Sequence, residues 1–262
     1  MSHWSKAILK AGVPVIWDYF SWMIRYSGKN KDKYPMIKRY NALKKLARRV
    51  SKAFDVEFHV EGQQALPEEP FCLFPNHYSS FDPVLLISVL DKPTTFVAKK
   101  ELSKVAFLGK CTRAIDGLFI DRKNLKQSLI VMKNVEESLK TKDLNWIIFP
   151  EGTRNKDFMA NINQFHHGSF RPAYKTGVPI VPVAIYGTDR VLKKRPYYKK
   201  YHVFIKFLPA LTAETYKDMT TEQIALYAHD LIQKTISYDL VYKFHDAMKE
   251  DRKYQFNKLS YK

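Results

Sequence analysis

The sequence is poor in residues that staple a chain or ligate a metal. Only two cysteines, Cys72 and Cys111, stand in 262 residues, which excludes a disulfide framework and a cysteine-rich metal motif. Such a chain suits a reducing, cytoplasmic setting. Glycine is scarce, nine in all, and neither a G-x-G-x-x-G nor a Walker pattern occurs, so the glycine-rich phosphate cradle of nucleotide-binding folds is missing. Long apolar runs are missing too. The longest stretches free of Asp, Glu, Lys and Arg are the 13 residues 158–170 and 176–188. A membrane-spanning helix needs about 20 mostly apolar residues, so none is expected. Lys10 and Asp18 bracket only seven residues, with no small-residue cleavage site after them, so a secretory signal is not expected either.

Acidic charge is the last deficit: 26 Asp and Glu against 44 Lys and Arg leave a net charge of +18. Residues 1–60 carry +9, residues 61–189 only +2, and residues 190–262 the remaining +7. A nearly neutral middle between basic ends suits a catalytic core held against something anionic. The sign alone does not choose between a membrane surface, nucleic acid and a merely lysine-rich exterior. With 45% hydrophobic and 14% aromatic residues, the chain can build a core of one large or two small domains.

Periodicity divides the chain near residue 54. Residues 4–23 contain three of the four tryptophans (Trp4, Trp17 and Trp22) among Ile8, Leu9, Val13, Val15, Ile16, Tyr19, Phe20 and Met23, with Gly12 and Pro14 placed to break or kink a helix. Tryptophan and tyrosine favour the headgroup level of a bilayer. After a polar loop at 27–34, residues 36–54 fit a helix. Met36, Tyr40, Leu43, Leu46, Ala47, Val50, Ala53 and Phe54 lie on one arc, and Lys38, Lys44, Lys45, Arg48, Arg49 and Lys52 on the other, with Ile37 and Arg39 as misfits. Two readings fit: a membrane-docking motif over residues 1–54, or a helical hairpin capping the core.

Residues 55–262 alternate strands and helices. Strands are expected at 56–61, 71–74, 94–98, 118–120, 146–149, 180–186 and 203–208. Helices are expected at 83–90, 102–110, 124–140 with Asn124 as cap, 170–176, and 220–248 with Thr220 and Gln223 as a capping box. Residues 249–262 are polar and expected to fray. The pattern predicts an α/β fold with a mixed, largely parallel sheet flanked by helices, whose ligands bind at the carboxyl ends of the strands.

Three of those strand ends are polar. Asn76, His77, Ser79, Ser80 and Asp82 follow the second strand, Asp121 and Arg122 the fourth, and Glu151, Gly152, Thr153 and Arg154 the fifth. Asp82 can hold one ring nitrogen of His77 while the other takes a proton, although a structural hydrogen bond fits the same spacing. Both serines are expected to hydrogen-bond within the turn, and no nucleophile elbow surrounds them. Arg122 and Arg154 suit a shared phosphate; ion pairs with the adjacent Asp121 and Glu151 are the alternative. His166 and His167 lack the carboxylate or cysteine spacing of a metal site.

In these residues the chain resembles the 1-acyl-glycerol-3-phosphate acyltransferases, the lysophosphatidic acid acyltransferases of phospholipid synthesis. Four ordered motifs carry the resemblance over residues 71–190: N-H-x-S-x-x-D at 76–82, 117–122, 149–154, and V-P-I-V-P-V-A-I at 178–185. The resemblance implies a glycerolphosphate acyltransferase-like fold preceded by a membrane-associated helical pair. It implies His77 as general base and Asp82 as its partner. Asn76, Lys99, Arg122, Glu151, Gly152, Thr153 and Arg154 become substrate-binding residues, the two arginines on the acceptor phosphate. Acyl-CoA or an acyl carrier protein is the implied donor, lysophosphatidic acid the acceptor and an anionic membrane surface a partner. No metal, cofactor or nucleic acid is implied. The expected location is the cytoplasmic side of the cell membrane, monotopic or peripheral. Glycerol-3-phosphate or another lysophospholipid is the rival acceptor. A non-catalytic basic protein binding membrane or nucleic acid is the rival of another class, and it leaves the polar strand ends without a purpose.

Overall fold

The computed structural model describes residues 12–141, 144–155, 161–192 and 200–249. Residues 12–27 form helix α1, whose middle is a π turn at Tyr19–Met23. Residues 12–18 run helically through Pro14. A proline disturbs the turn preceding it, and most of that turn lies outside the described residues, as do Trp4, Ile8 and Leu9. From residue 12 the described part of this segment is amphipathic. Met23, Tyr26 and Asp18 are buried, while Val13, Ile16, Trp17, Phe20 and Ile24 stand exposed at helical spacing along one stripe.

Helix α2, Met36–Ala53, buries Tyr40, Leu43, Leu46 and Ala47 against helix α3, Asp82–Val89. Its basic arc is partly engaged within the fold. Lys44 pairs with Asp91, Arg48 Nε donates to the Ser88 carbonyl at 2.8 Å, and Arg49 pairs with the buried Asp18 of α1. The misfit Arg39 is buried and donates to both carboxylate oxygens of Asp116, at 3.1 and 2.8 Å, and to the Ala114 carbonyl at 2.7 Å. Lys38, Lys45 and Lys52 remain exposed. Half of the arc therefore clamps α2 to its neighbours.

Seven strands form one sheet: β1 Val56–Glu61, β2 Cys72–Pro75, β3 Thr94–Lys99, β4 Leu118–Ile120, β5 Asn145–Ile147, β6 Ile180–Tyr186 and β7 Tyr201–Phe207, in the order β1-β7-β6-β2-β5-β3-β4. Only β6 and β7 pair antiparallel among the described residues. The period of two sorts the core cleanly. Phe71, Leu73, Ile147, Phe149, Val181, Val183, Ile185, Val203 and Ile205 pack with α2 and α3 on one face. Cys72, Phe74, Trp146, Ile148, Ile180, Ala184, Tyr186 and Phe204 pack on the other. Strands buried on both faces read as continuous apolar runs, as β2 and β6 do.

The expected helix at 102–110 divides into a 3-10 turn, Lys100–Lys104, and α4, Ala106–Ala114. Val105 is extended between them, and Gly109 lets α4 pack back closely: a Cβ there would lie 2.7 Å from the Ser103 carbonyl oxygen. Helix α5, Leu125–Lys140, is capped by Asn124, whose side chain accepts the Gln127 N–H at 3.1 Å. Its buried stripe is Val131, Val135 and Leu139, while Leu125 and Leu129 are exposed. The edge strand β4 is three residues long and offers the first turns of α5 little to cover. Helices α6, Arg171–Thr176, and α7, Ala213–Tyr216, are short. Helix α8, Thr221–Thr235, starts with the expected capping box and continues through a π turn, Ile236–Leu240, to residue 249. Among the described residues no helix is long and apolar enough to cross a membrane.

Candidate active site

Strands β2, β5, β3 and β4 are parallel neighbours, so the segments leaving their carboxyl ends share one edge of the sheet. Residues 76–82 leave β2 and turn into α3. Asn76 is fully buried and ties this exit to β6: its amide donates to the Ile185 carbonyl at 2.9 Å and accepts the Ile185 N–H at 2.7 Å. With both ends of its amide engaged there, Asn76 holds the turn in place.

His77 and Asp82 meet as the five-residue spacing suggests. His77 Nδ1 lies 2.8 Å from Asp82 Oδ2. The same oxygen accepts the main-chain N–H groups of Tyr78 and Ser79, both at 2.9 Å. Asp82 is fully buried at the first turn of α3. Two backbone donors therefore converge with the imidazole on one oxygen of this buried side chain. With Nδ1 donating to Asp82, Nε2 is left as an acceptor. The imidazole packs on the Phe149 ring, 4.2 Å between centroids, which restricts its rotation.

The loop after β5 grips the main chain of His77 from both sides. Glu151 Oε1 accepts the His77 N–H at 2.6 Å, and the Asn155 N–H donates to the His77 carbonyl at 2.7 Å. The other oxygen of Glu151 accepts the Asn163 N–H at 3.0 Å. Burial raises the Glu151 carboxyl to about 7, against the lowering effect of these two bonds. Glu151 thus serves His77 rather than pairing with Arg154. Gly152 has φ of +66°, and a Cβ there would lie 3.0 Å from the His166 ring, so conformation and space both call for glycine.

Thr153 and Arg154 are exposed beyond this loop. Arg154 Nη1 donates to Ser80 Oγ at 2.7 Å, so Ser80 bridges two loops instead of closing its own turn. Ser79 does bond within the turn, its hydroxyl accepting the Phe81 N–H at 3.2 Å. Lys99 ends β3, in register with Ile120, and reaches Glu101 at 3.1 Å. Arg122 follows β4 and makes no hydrogen bond or ion pair among the described residues, while Asp121 is held by Lys100 at 3.1 Å. Strand β4 stands two strands from β5, roughly 10 Å at ordinary strand spacing, with β3 and Lys99 between.

Two contributors were hidden from sequence reading. Asn155 acts through its main chain, which carries no residue signature. His166 was visible as half of a histidine pair, but its contact with Gly152 depends on the tertiary path.

Comparison with known proteins places this geometry. An acyltransferase family profile matches residues 57–186, spanning β1 to β6. A probable 1-acyl-sn-glycerol-3-phosphate acyltransferase of Mycoplasma pneumoniae is 32% identical over 60% of this chain and 59% of its own length. The 1-acyl-sn-glycerol-3-phosphate acyltransferase alpha of Bos taurus is 32% identical over 58% of this chain and 52% of its own. The chain thus spans little more than half the length of these curated relatives. A crystal structure of the 1-acyl-sn-glycerophosphate (LPA) acyltransferase PlsC from Thermotoga maritima superposes with a TM-score of 0.72, covering 90% of this chain and 95% of that one at 22% identity. That likeness extends the shared fold to the helices outside the profile. With its motifs on one sheet edge and its sequence matched across that edge, the chain is similar to the acyltransferases over residues 57–186, the 1-acyl-sn-glycerol-3-phosphate acyltransferases among them, and shares the fold of one of them.

Proposed function

We propose that this protein transfers a fatty acyl group from a thioester, acyl-CoA or acyl carrier protein, to the sn-2 hydroxyl of 1-acyl-glycerol-3-phosphate, giving phosphatidic acid. The observation that carries the proposal is the His77–Asp82 pair, 2.8 Å apart, on the sheet edge that also presents Lys99, Arg122 and Arg154. His77 Nε2 takes the hydroxyl proton as the oxygen attacks the thioester carbonyl carbon. Asp82 stabilises the imidazolium that forms. The tetrahedral oxyanion collapses, the C–S bond breaks, and the thiolate recovers the proton from His77. Arg122 and Arg154 hold the acceptor phosphate, with Lys99 adding charge between them.

Residues 1–54 are the membrane-docking part in this reading, on the cytoplasmic side of the cell membrane. Its support is the exposed stripe Val13, Ile16, Trp17, Phe20 and Ile24 on α1, which is suited to burial among headgroups. The acceptor and product are lipids, so docking spares a catalytic domain over residues 55–262 from extracting them into water.

Purified protein is to be assayed with lysophosphatidate and with glycerol-3-phosphate, each against acyl-CoA and acyl carrier protein donors. Phosphatidic acid should form from lysophosphatidate with at least one donor. Turnover of glycerol-3-phosphate alone would reassign the acceptor.

A further inference from the structure

A cluster of possible ligands lies away from the catalytic edge, on β1 and β7. Glu57 and His59 are two residues apart on β1 and so share a face. Glu57 is in register with His202 on the parallel neighbour β7, which brings His202 to the same face. His59 Nε2 lies 3.0 Å from His202 Nδ1, and these nitrogens with a Glu57 carboxylate oxygen all fall within 4.8 Å of one another. The His59 ring is stacked on Phe204 at 4.3 Å, which holds its edge toward His202.

We propose that Glu57, His59 and His202 form a binding site for one divalent transition-metal cation of the Zn2+ class, joining β1 to β7 outside the catalytic edge. Zinc bound tetrahedrally to two imidazole nitrogens at about 2.0–2.1 Å separates them by roughly 3.3 Å, close to the separation already present. A proton shared between the rings is the group that zinc would replace. A neutral imidazole is the form that binds the metal. Glu57 supplies the anionic oxygen, and a water completes four-coordination. Glu57 pairs with Lys200, another cation, which must release the carboxylate when a metal binds. The site needs no part of the acyl-transfer chemistry.

The test is a zinc titration of the untagged full chain against a chromogenic chelator, repeated for His59→Gln, His202→Gln, Lys200→Ala and a His166→Ala/His167→Ala control. All are to be checked for folding by circular dichroism. The wild type should bind one equivalent, and saturating zinc should raise its Tm by roughly 5 °C. Each of His59→Gln and His202→Gln should weaken binding at least about tenfold. The His166/His167 control should bind as the wild type does. Lys200→Ala should tighten binding by removing the competing cation, which a merely destabilised sheet edge would not do. Absence of a saturable equivalent overturns the proposal. So does undiminished binding in the folded His59→Gln and His202→Gln variants, or loss of binding in the His166/His167 control.

Discussion

Asp82 Oδ2 accepts three hydrogen bonds at once, from His77 Nδ1 at 2.8 Å and from the N–H groups of Tyr78 and Ser79 at 2.9 Å. One carboxylate oxygen therefore shapes the turn and orients the base. Asp82→Asn places a neutral amide there and weakens the hold on the Nδ1 tautomer. It should lower kcat at least about a thousandfold, as loss of the orienting carboxylate does in hydrolytic triads. Near-normal kcat in the folded variant would show that His77 needs no anionic partner.

Arg154→Ala and Arg122→Ala should act on the acceptor. Loss of a charge-assisted phosphate contact is worth about 1.5–3 kcal/mol, so KM for the acceptor should rise at least about tenfold with a smaller change in kcat. Ser80→Ala frees Arg154 from its 2.7 Å tether and should raise the same KM by less. If KM for the thioester rises instead, the arginines serve the donor.

Glu151 gives a signed prediction for stability against pH. Its carboxyl is raised from 4.5 to about 7 by burial, so folding favours the protonated form. Its contribution is complete below about 4.5 and is lost as pH rises through about 7. Glu151→Gln cannot ionise. In urea unfolding between pH 4.5 and 8, the stability of the wild type relative to this variant should fall as pH rises, then level off above 7. A constant difference across that range would contradict the shift.

Docking should depend on the α1 stripe more than on the basic arc of α2. Trp17→Ser with Phe20→Ser should abolish most binding to anionic liposomes in high salt. Charge reversal of Lys38, Lys45 and Lys52 should weaken binding chiefly at low salt, each contributing about 1 kcal/mol near an anionic surface. Lys44→Glu and Arg49→Glu should instead lower Tm, because those residues pair with Asp91 and Asp18. Sedimentation with liposomes that is unchanged in the Trp17/Phe20 variant would refute the assignment.

What was legible in the sequence was local. Strands β4 and β6, the Asn124 cap and the Thr220–Gln223 box all depend on side chains within a few positions of one another, where periodicity and capping rules act. The His77–Asp82 contact was legible for the same reason, spanning five positions. Long-range partners were not. The inward turn of Arg39 depends on Asp116, 77 positions away, and the grip of Glu151 on His77 crosses 74. A helical wheel cannot tell a lysine facing water from one facing a carboxylate on another segment, so the basic arc looked more uniform than it is. The main-chain contact of Asn155 had no signal, since every residue but proline carries the same N–H.

The most direct measurement is phosphatidic acid formation from lysophosphatidate and a thioester donor, by the purified wild type and by His77→Ala, with both confirmed folded by circular dichroism. The account predicts turnover by the wild type and none above background for His77→Ala. Comparable turnover by the two proteins, or none by the folded wild type with either donor, would contradict it.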